Sequence, residues 1–516
     1  MMIKKYFRLF NTIKFLKKRQ LFFRLYYVVK KKYIQLSGKK PTYSKDSNSV
    51  SLTLVKSIHI VDSLLEKKNF TFLNLTKEFD NSIDWNYSNY GKLWTYNLTY
   101  FDFLSQEKIK NGDFLIENFI ENIHSIQDGM ESFPISLRGV NWIKYLSYNN
   151  INKKKINDNL YAQYYLLYEN IEYHLLGNHL LENAFSLLFG AYYFQDSLLY
   201  EKAKKILLTE LEEQILADGA HFELTPMYHQ IMLFRVLDSI NLIQNNQWKN
   251  RELLSFLLKK ASFMLSWLNN ITYNNGSIPL LNDSAEGIAP TSFQLQEYAK
   301  RLKIKMVNLK LKESGYRKVT NNQYECIVDV GKIGADYIPG HAHSDTFNFE
   351  LKIKGEAFIV DSGISTYETN SRRNHERSTK AHNTVEIKGQ NQSNVWAGFR
   401  VANRASITYL KEENTFIEAT HDGYKNKGIY HTRKWNFLEN SIIVKDTINK
   451  EVDAVARLHF HPSVTKHKIL QHITVGSASF TLTQYQYTNK FNFLENAYMM
   501  EIPLTKELII SINIQA

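Results

Sequence analysis

At 516 residues the chain is too long for one hydrophobic core, and its 44% hydrophobic and 14% aromatic content excludes a disordered protein. The formal charge of +13 points toward a polyanion partner, but residues 1–50 hold 14 Lys/Arg and one acid, Asp46, leaving 50 of the 64 basic and 50 of the 51 acidic residues in the body. The body is neutral, so attraction for an anion there must come from a local site, and nucleic acid is not an expected partner.

A single cysteine, Cys326, excludes an intrachain disulfide and a zinc-thiolate cluster. The N-terminus starts basic, but Lys14, Lys17, Lys18 and Arg19 interrupt any apolar core of a signal peptide. No apolar run of about 18 residues occurs, so no spanning helix is expected. Cytoplasmic residence follows as the expectation.

Residues 3–36 mix Phe7, Phe10, Ile13, Leu21, Phe22, Leu25 and Val29 with Lys and Arg at helical spacing. This reads as a basic amphipathic helix, suited to peripheral contact of residues 1–36 with an anionic membrane or to packing on the body. Ser37 to Ser51 reads as a linker, which sets the first segment at 1–50.

Residues 51–312 carry apolar residues at three- and four-residue steps in segments near 97–110, 113–127, 138–149, 158–176, 179–195, 197–215, 226–244, 250–270 and 291–304. That many amphipathic helices imply a bundle, a solenoid or a ring of helical hairpins. Over 313–516 the period becomes that of strands, as in Glu325–Val330, Phe347–Ile353, Phe358–Val360, Thr384–Ile387, Ser441–Val444 and Leu508–Ile512, with Lys354-Gly355 as a hairpin turn. The expected fold class is multidomain α+β, with a helical domain followed by an antiparallel β-sandwich.

Three constellations carry chemistry. In Gly177-Asn178-His179-Leu180-Leu181-Glu182-Asn183, a helix starting near Asn178 puts an amide, an imidazole and a carboxylate on one face; an N-capping Asn with a buried His and Glu is the alternative. In Phe222-Glu223-Leu224-Thr225-Pro226-Met227-Tyr228-His229, Thr225 fits an N-cap and Pro226 the first helical position. Tyr228 then falls in the first turn, where the helix dipole would lower the phenol pKa. In Gly340-His341-Ala342-His343-Ser344-Asp345, Asp361-Ser362-Gly363 and Ala381-His382-Asn383-Thr384, the set His343, Asp361 and His382 suits a divalent ion, and a hydrogen-bonded His–Asp network explains it equally. The five-residue offset across the hairpin requires His341–Asp345 to curl over the sheet end. Pro279–Ser284 reads as a loop with a capping Asp283. Arg138 and Arg377 are anion-grip candidates, with a surface salt bridge and a solvated loop as their alternatives. With Glu182 and Glu223 they make up the expected substrate-binding set.

In this order the motifs resemble the heparinase II/III family of polysaccharide lyases over roughly residues 90–405. The resemblance implies an (α/α) toroid at 51–312, a heparinase II/III-like sandwich at 313–516, and an anionic polysaccharide bound between them. It implies β-elimination at a uronic acid, with Asn178 and His179 neutralising the carboxylate, Tyr228 as base, acid or both, and His341 as a second proton-transfer group. His343, Asp361 and His382 match the metal ligands of zinc-containing members; manganese is the alternative ion. Some members use a second tyrosine, for which Tyr367 is the nearest candidate. A C5-epimerase of capsule or O-antigen biosynthesis shares the first chemical step, and a non-catalytic glycan-binding protein would keep only the fold. The sequence leaves the oligomeric state open.

Overall fold

The computed structural model describes residues 2–38, 40–66, 68–109, 111–249 and 251–515. The basic N-terminal stretch forms two helices, α1 (Met2–Ile13) and α2 (Lys18–Ser37), because the chain turns extended at Lys17. Residues 43–57 are not a free linker. Lys45 and Val50 donate backbone N–H groups to the carbonyls of Asp158 and Tyr193, and Leu52 is buried. A hairpin of β1 (Asn69–Phe72) and β2 (Leu75–Glu78) precedes the helices, a feature the helical reading of this region missed.

The toroid comprises α3 (Lys92–Tyr100), α4 (Gly112–Asn122), α5 (Ser132–Tyr148), α6 (Lys154–Glu169), α7 (Gly177–Phe194), α8 (Ser197–Gln214), α9 (Pro226–Asn245), α10 (Glu252–Ile271) and α11 (Ser292–Arg301). Helix α7 is buried almost all round, as a helix in the middle of others must be. It packs against α5, α8 and α9, and α9 packs against α10. Asp196 caps α8 by accepting from Leu198 and Leu199 N–H, and Thr291 and Gln294 close a capping box on α11. The core here includes Trp94, Trp142, Leu188 and Trp267, each at most 1% exposed.

The sandwich opens with the antiparallel sheet β3 (Tyr316–Thr320), β4 (Tyr324–Asp329), β5 (Phe349–Ile353), β6 (Glu356–Ile359). Lys354 and Gly355 make the β5–β6 turn, both at positive φ. Strands β4 and β5 are buried on both faces because the toroid covers the side away from the sandwich core. Tyr273 donates to Glu350 Oε2 at 2.9 Å, Asn274 N–H to Glu325 Oε1 at 2.9 Å, and Lys352 to Asn275 Oδ1 at 3.0 Å. The 273–289 connection between α10 and α11 therefore runs under the sandwich. Beyond β7 (Val385–Ile387), the short pair β8 (Val395–Trp396) and β9 (Arg400–Val401), and β10 (Ile407–Glu413), strands β11 (Phe416–Tyr424), β12 (Ile429–Phe437) and β13 (Ser441–Ile448) alternate buried and partly open positions, the period of a half-covered sheet.

Candidate active site

Asn178 and His179 are placed by a strained entry into α7: Leu176 and Gly177 both have positive φ, 65° and 58°. A Cβ on Gly177 would lie 2.8 Å from Glu223 Oε1, so glycine is required for the close approach. Glu223 accepts from Asn178 N–H and from Asn178 Nδ2, both at 3.0 Å. His179 Nδ1 faces Glu172 Oε1 at 3.2 Å, and its ring packs on Phe133 at 4.6 Å between centroids. Asn183 holds Glu172 in turn, donating to its Oε2 at 3.0 Å. Burial opposes a charge on His179, but the Glu172 carboxylate outweighs it and holds the imidazole above its ordinary pKa.

Thr225 and Pro226 begin α9 as the sequence implies, although the Thr225 hydroxyl donates to Glu223 O rather than capping the helix. Tyr228 falls in the first turn and stacks on His341, with ring centroids 3.9 Å apart. Its hydroxyl lies 3.3 Å from that of Tyr367, which brings the second tyrosine into the site. The expectation of a more acidic phenol is corrected. Burial pushes Tyr228 upward and outweighs the hydrogen bond from Tyr367, so the resting side chain is a neutral phenol.

Asp283 is the residue that the sequence misjudged most. It caps nothing; wholly buried, it accepts from Arg373 on both oxygens, from His341 Nδ1 at 2.9 Å and from His343 Nε2 at 2.8 Å. Burial opposes its charge, yet Arg373 and the two imidazoles hold its carboxyl well below the carboxylate range. With Nδ1–H of His341 committed to Asp283, its Nε2 lone pair faces the site, 3.5 Å from Asn178 Nδ2.

The curl over the sheet end is present, with Phe347 at φ 71°. It buries His343 beside His382, ring centroids 5.2 Å apart. In this structure His382 Nδ1 pairs with Asp361 Oδ2 at 2.7 Å. Asp361 also accepts from Asn348 Nδ2 and Gly363 N–H, so its oxygens are engaged. Gly363 is obligatory, because a Cβ there would sit 1.7 Å from Thr488 O. Among the described residues no three His, Cys, Asp or Glu side chains converge on one point as a metal cage. Three buried donor atoms of the right kind, His343 Nδ1, His382 Nε2 and Asp345 Oδ2, nonetheless have no protein partner. The donor chemistry fits a divalent ion; the side-chain positions do not close around one.

Two of the expected substrate grips are corrected. Arg138 is 0% exposed and donates to Gln163 Oε1 and the carbonyls of Thr99 and Gly129. Arg377, 1% exposed, donates to the carbonyls of Ala342 and Gly398. Both tie backbone together, and burial pushes each down to about 9. Glu223 is spent on Asn178. Glu182 reaches the cleft, a cavity of about 620 Å³ lined also by Tyr100, Asn178, Tyr228, Arg235 and Tyr367. Both Glu182 oxygens accept from Arg235 Nε, at 2.9 and 3.0 Å, and among the described residues the Arg235 Nη groups make no hydrogen bond. Arg235 is thus a cation facing the cleft that sequence reasoning missed, since one Arg inside a helical repeat carries no local signal. A larger hollow of about 880 Å³, between residues 59–68 and 106–118, contains none of these groups.

Known proteins share the two family domains and the fold. A family model described as Heparinase II/III N-terminus matches residues 150–304, and one described as Heparinase II/III-like, C-terminal, matches 308–499. A heparin-sulfate lyase of Pedobacter heparinus is 26% identical over 243 residues, covering 42% of this chain and 36% of that protein. One of Bacteroides stercoris is 25% identical over 322 residues, covering 56% and 46%. The chain thus spans less than half the length of these relatives. Among solved structures, heparinase III superposes with a TM-score of 0.64 at 17% identity, covering 84% of this chain and 79% of that one. The heparan sulfate lyase of Pedobacter heparinus gives 0.54 at 17%, covering 86% and 81%. A helical toroid, an antiparallel sandwich and matches to both family domains make one conclusion: this chain belongs to the heparinase II/III family.

Proposed function

We propose that the protein is a polysaccharide lyase that cleaves an anionic, uronic-acid-containing polysaccharide by β-elimination. The observation that supports this best is the contact of His341 with Tyr228 and Asn178, both of which line a cleft between toroid and sandwich. The heparin-sulfate lyase relatives agree with it.

Asn178 and His179, whose imidazole Glu172 biases toward the cationic form, neutralise the uronate carboxylate, which stabilises the carbanion-like state formed when C5 loses its proton. Glu223 and Glu172 position those two side chains. His341 Nε2, its tautomer fixed by Asp283, accepts the C5 proton. Tyr228, neutral at rest, gives its proton to O4 as the C4–O4 bond breaks and the C4–C5 double bond forms. Imidazolium and tyrosinate then reset through solvent. Arg235 binds a further anionic group of the chain. A divalent ion, zinc or manganese, at His343, Asp361 and His382 would pin the sandwich loop behind His341; its support is the unpartnered His343 Nδ1 and His382 Nε2, and Asp361 would exchange a hydrogen bond for it.

The test is ultraviolet absorbance of the unsaturated uronate across a panel of acidic glycans. It should rise with one of them and be lost in Tyr228→Phe. No rise with any, together with solvent deuterium entering C5 without cleavage, would replace the lyase by a C5-epimerase.

A further inference from the structure

The two N-terminal helices divide their surfaces by helical period. In α2, Gln20, Phe23, Tyr27, Lys30 and Ile34 recur at three- and four-residue steps and turn toward the body. Gln20 Nε2 donates to the carbonyls of Leu175 and Tyr337, at 3.0 and 3.3 Å, Phe23 packs on Tyr173 at 4.7 Å, and the Tyr27 hydroxyl donates to Ile171 O. Before it, Thr12 accepts from Trp396 Nε1 at 3.2 Å and Phe15 lies under the Arg404 guanidinium at 3.7 Å. The pair therefore clamps the seam where toroid meets sandwich.

Their opposite faces are open. Leu21, Phe22, Leu25, Val29, Tyr33 and Leu36 run along α2 at 44–89% exposure. Tyr6, Leu9, Phe10 and Ile13 repeat the stripe on α1 at 38–67%. A contiguous apolar strip of this length on a folded protein marks a contact surface. Charge selects the occupant. Lys18 and Lys32 lie within the α2 stripe, in a stretch with 14 basic residues and one acid. A second copy would press two strongly basic faces together, whereas anionic headgroups above acyl chains satisfy both the cations and the apolar stripe. Among the described residues no helix is long and apolar enough to cross a membrane, so the contact is in-plane.

We propose that α1 and α2 form an in-plane docking platform that seats the protein on anionic lipid bilayers. It is independent of the reaction assigned to the cleft. Leu175 and Tyr337, whose carbonyls Gln20 grips, lie three and four residues before Asn178 and His341, so docking holds the rim of the cleft beside the bilayer.

The experiment is co-sedimentation of the full chain with vesicles of phosphatidylglycerol and phosphatidylcholine, against phosphatidylcholine alone. Wild type should bind the anionic vesicles, less so at high salt and least on the neutral ones. Leu25→Glu/Val29→Glu, which changes only the outer face, should weaken binding roughly tenfold or more. Should that variant melt early, Lys18→Glu/Lys32→Glu provides a second test, with a loss of about tenfold expected. Failure of wild type to bind, or equal binding by either folded double variant, overturns the proposal. So does a wild-type dimer in light scattering that the variants dissolve while vesicles remain unbound, which assigns the stripe to a second copy.

Discussion

Asp283 Oδ2 accepts from His341 Nδ1 at 2.9 Å, while the same carboxylate takes both Nη groups of Arg373 and the Nε2 of His343. One carboxylate thus orients the base and anchors the loop that carries it. Asp283→Asn should lower kcat by about 10²–10⁴, because the His341 tautomer is released. It should also destabilise the fold by about 3–5 kcal/mol, because the buried Arg373 loses its counter-charge. His341→Gln should show a similar kcat loss without comparable loss of stability. Steady-state kinetics with thermal melts separates the two effects.

Tyr228→Phe keeps the ring on His341 and deletes one long hydrogen bond to Tyr367. The product-absorbance rate should fall by about 10²–10⁴, with melting changed by less than about 1 kcal/mol. Tyr367→Phe should cost only a few-fold. A rate unchanged in Tyr228→Phe would remove that side chain from the chemistry.

The His179 pKa lies above its ordinary 6.5 in the folded protein, with burial opposing and Glu172 producing the shift. Because the folded value is the higher one, the cation and the stability it contributes are complete below pH 6.5 and are lost as pH rises through the folded value. The side chain is about a third exposed, 35%, so the stability part is small after solvent screening. Oligosaccharide affinity of Tyr228→Phe should fall over that same rise. Glu172→Gln should shift the fall to lower pH, and His179→Gln should flatten it, as calorimetric titrations would read.

Arg138 holds carbonyls rather than substrate, so Arg138→Met should leave KM unchanged. It should cost about 2–4 kcal/mol, because Thr99 O, Gly129 O and Gln163 Oε1 lose their donor. Arg235→Met should raise KM instead, since its Nη groups face the cleft. The opposite pattern would exchange the two roles.

If the unpartnered nitrogens of His343 and His382 receive an ion, chelator should lower the melting temperature, and zinc or manganese should restore it. In His382→Ala the response should vanish. Metal content and melting measured on one preparation decide the matter, and no response in wild type would leave the hydrogen-bonded network as the whole of this site.

The local code was legible wherever neighbours in sequence decide the outcome. Three- and four-residue apolar steps produced the toroid helices, the strand period produced β4, β5 and the start of β13 but not β11 or β12, and Lys354-Gly355 produced the β5–β6 turn. The motifs around Asn178, Tyr228 and His341 pointed to one family because each is short and contiguous. What the sequence could not show was which of its charges meet. Asp283 lies 58 residues from His341 and 90 from Arg373. Arg138 and Arg377 look like surface cations until the fold buries them on carbonyls. The Tyr228 phenol illustrates the limit: its place in the first turn of a helix argued for a lowered pKa, and desolvation by the packed sandwich reversed the sign. Desolvation and long-range pairing depend on three-dimensional packing, so only the tertiary structure decided them.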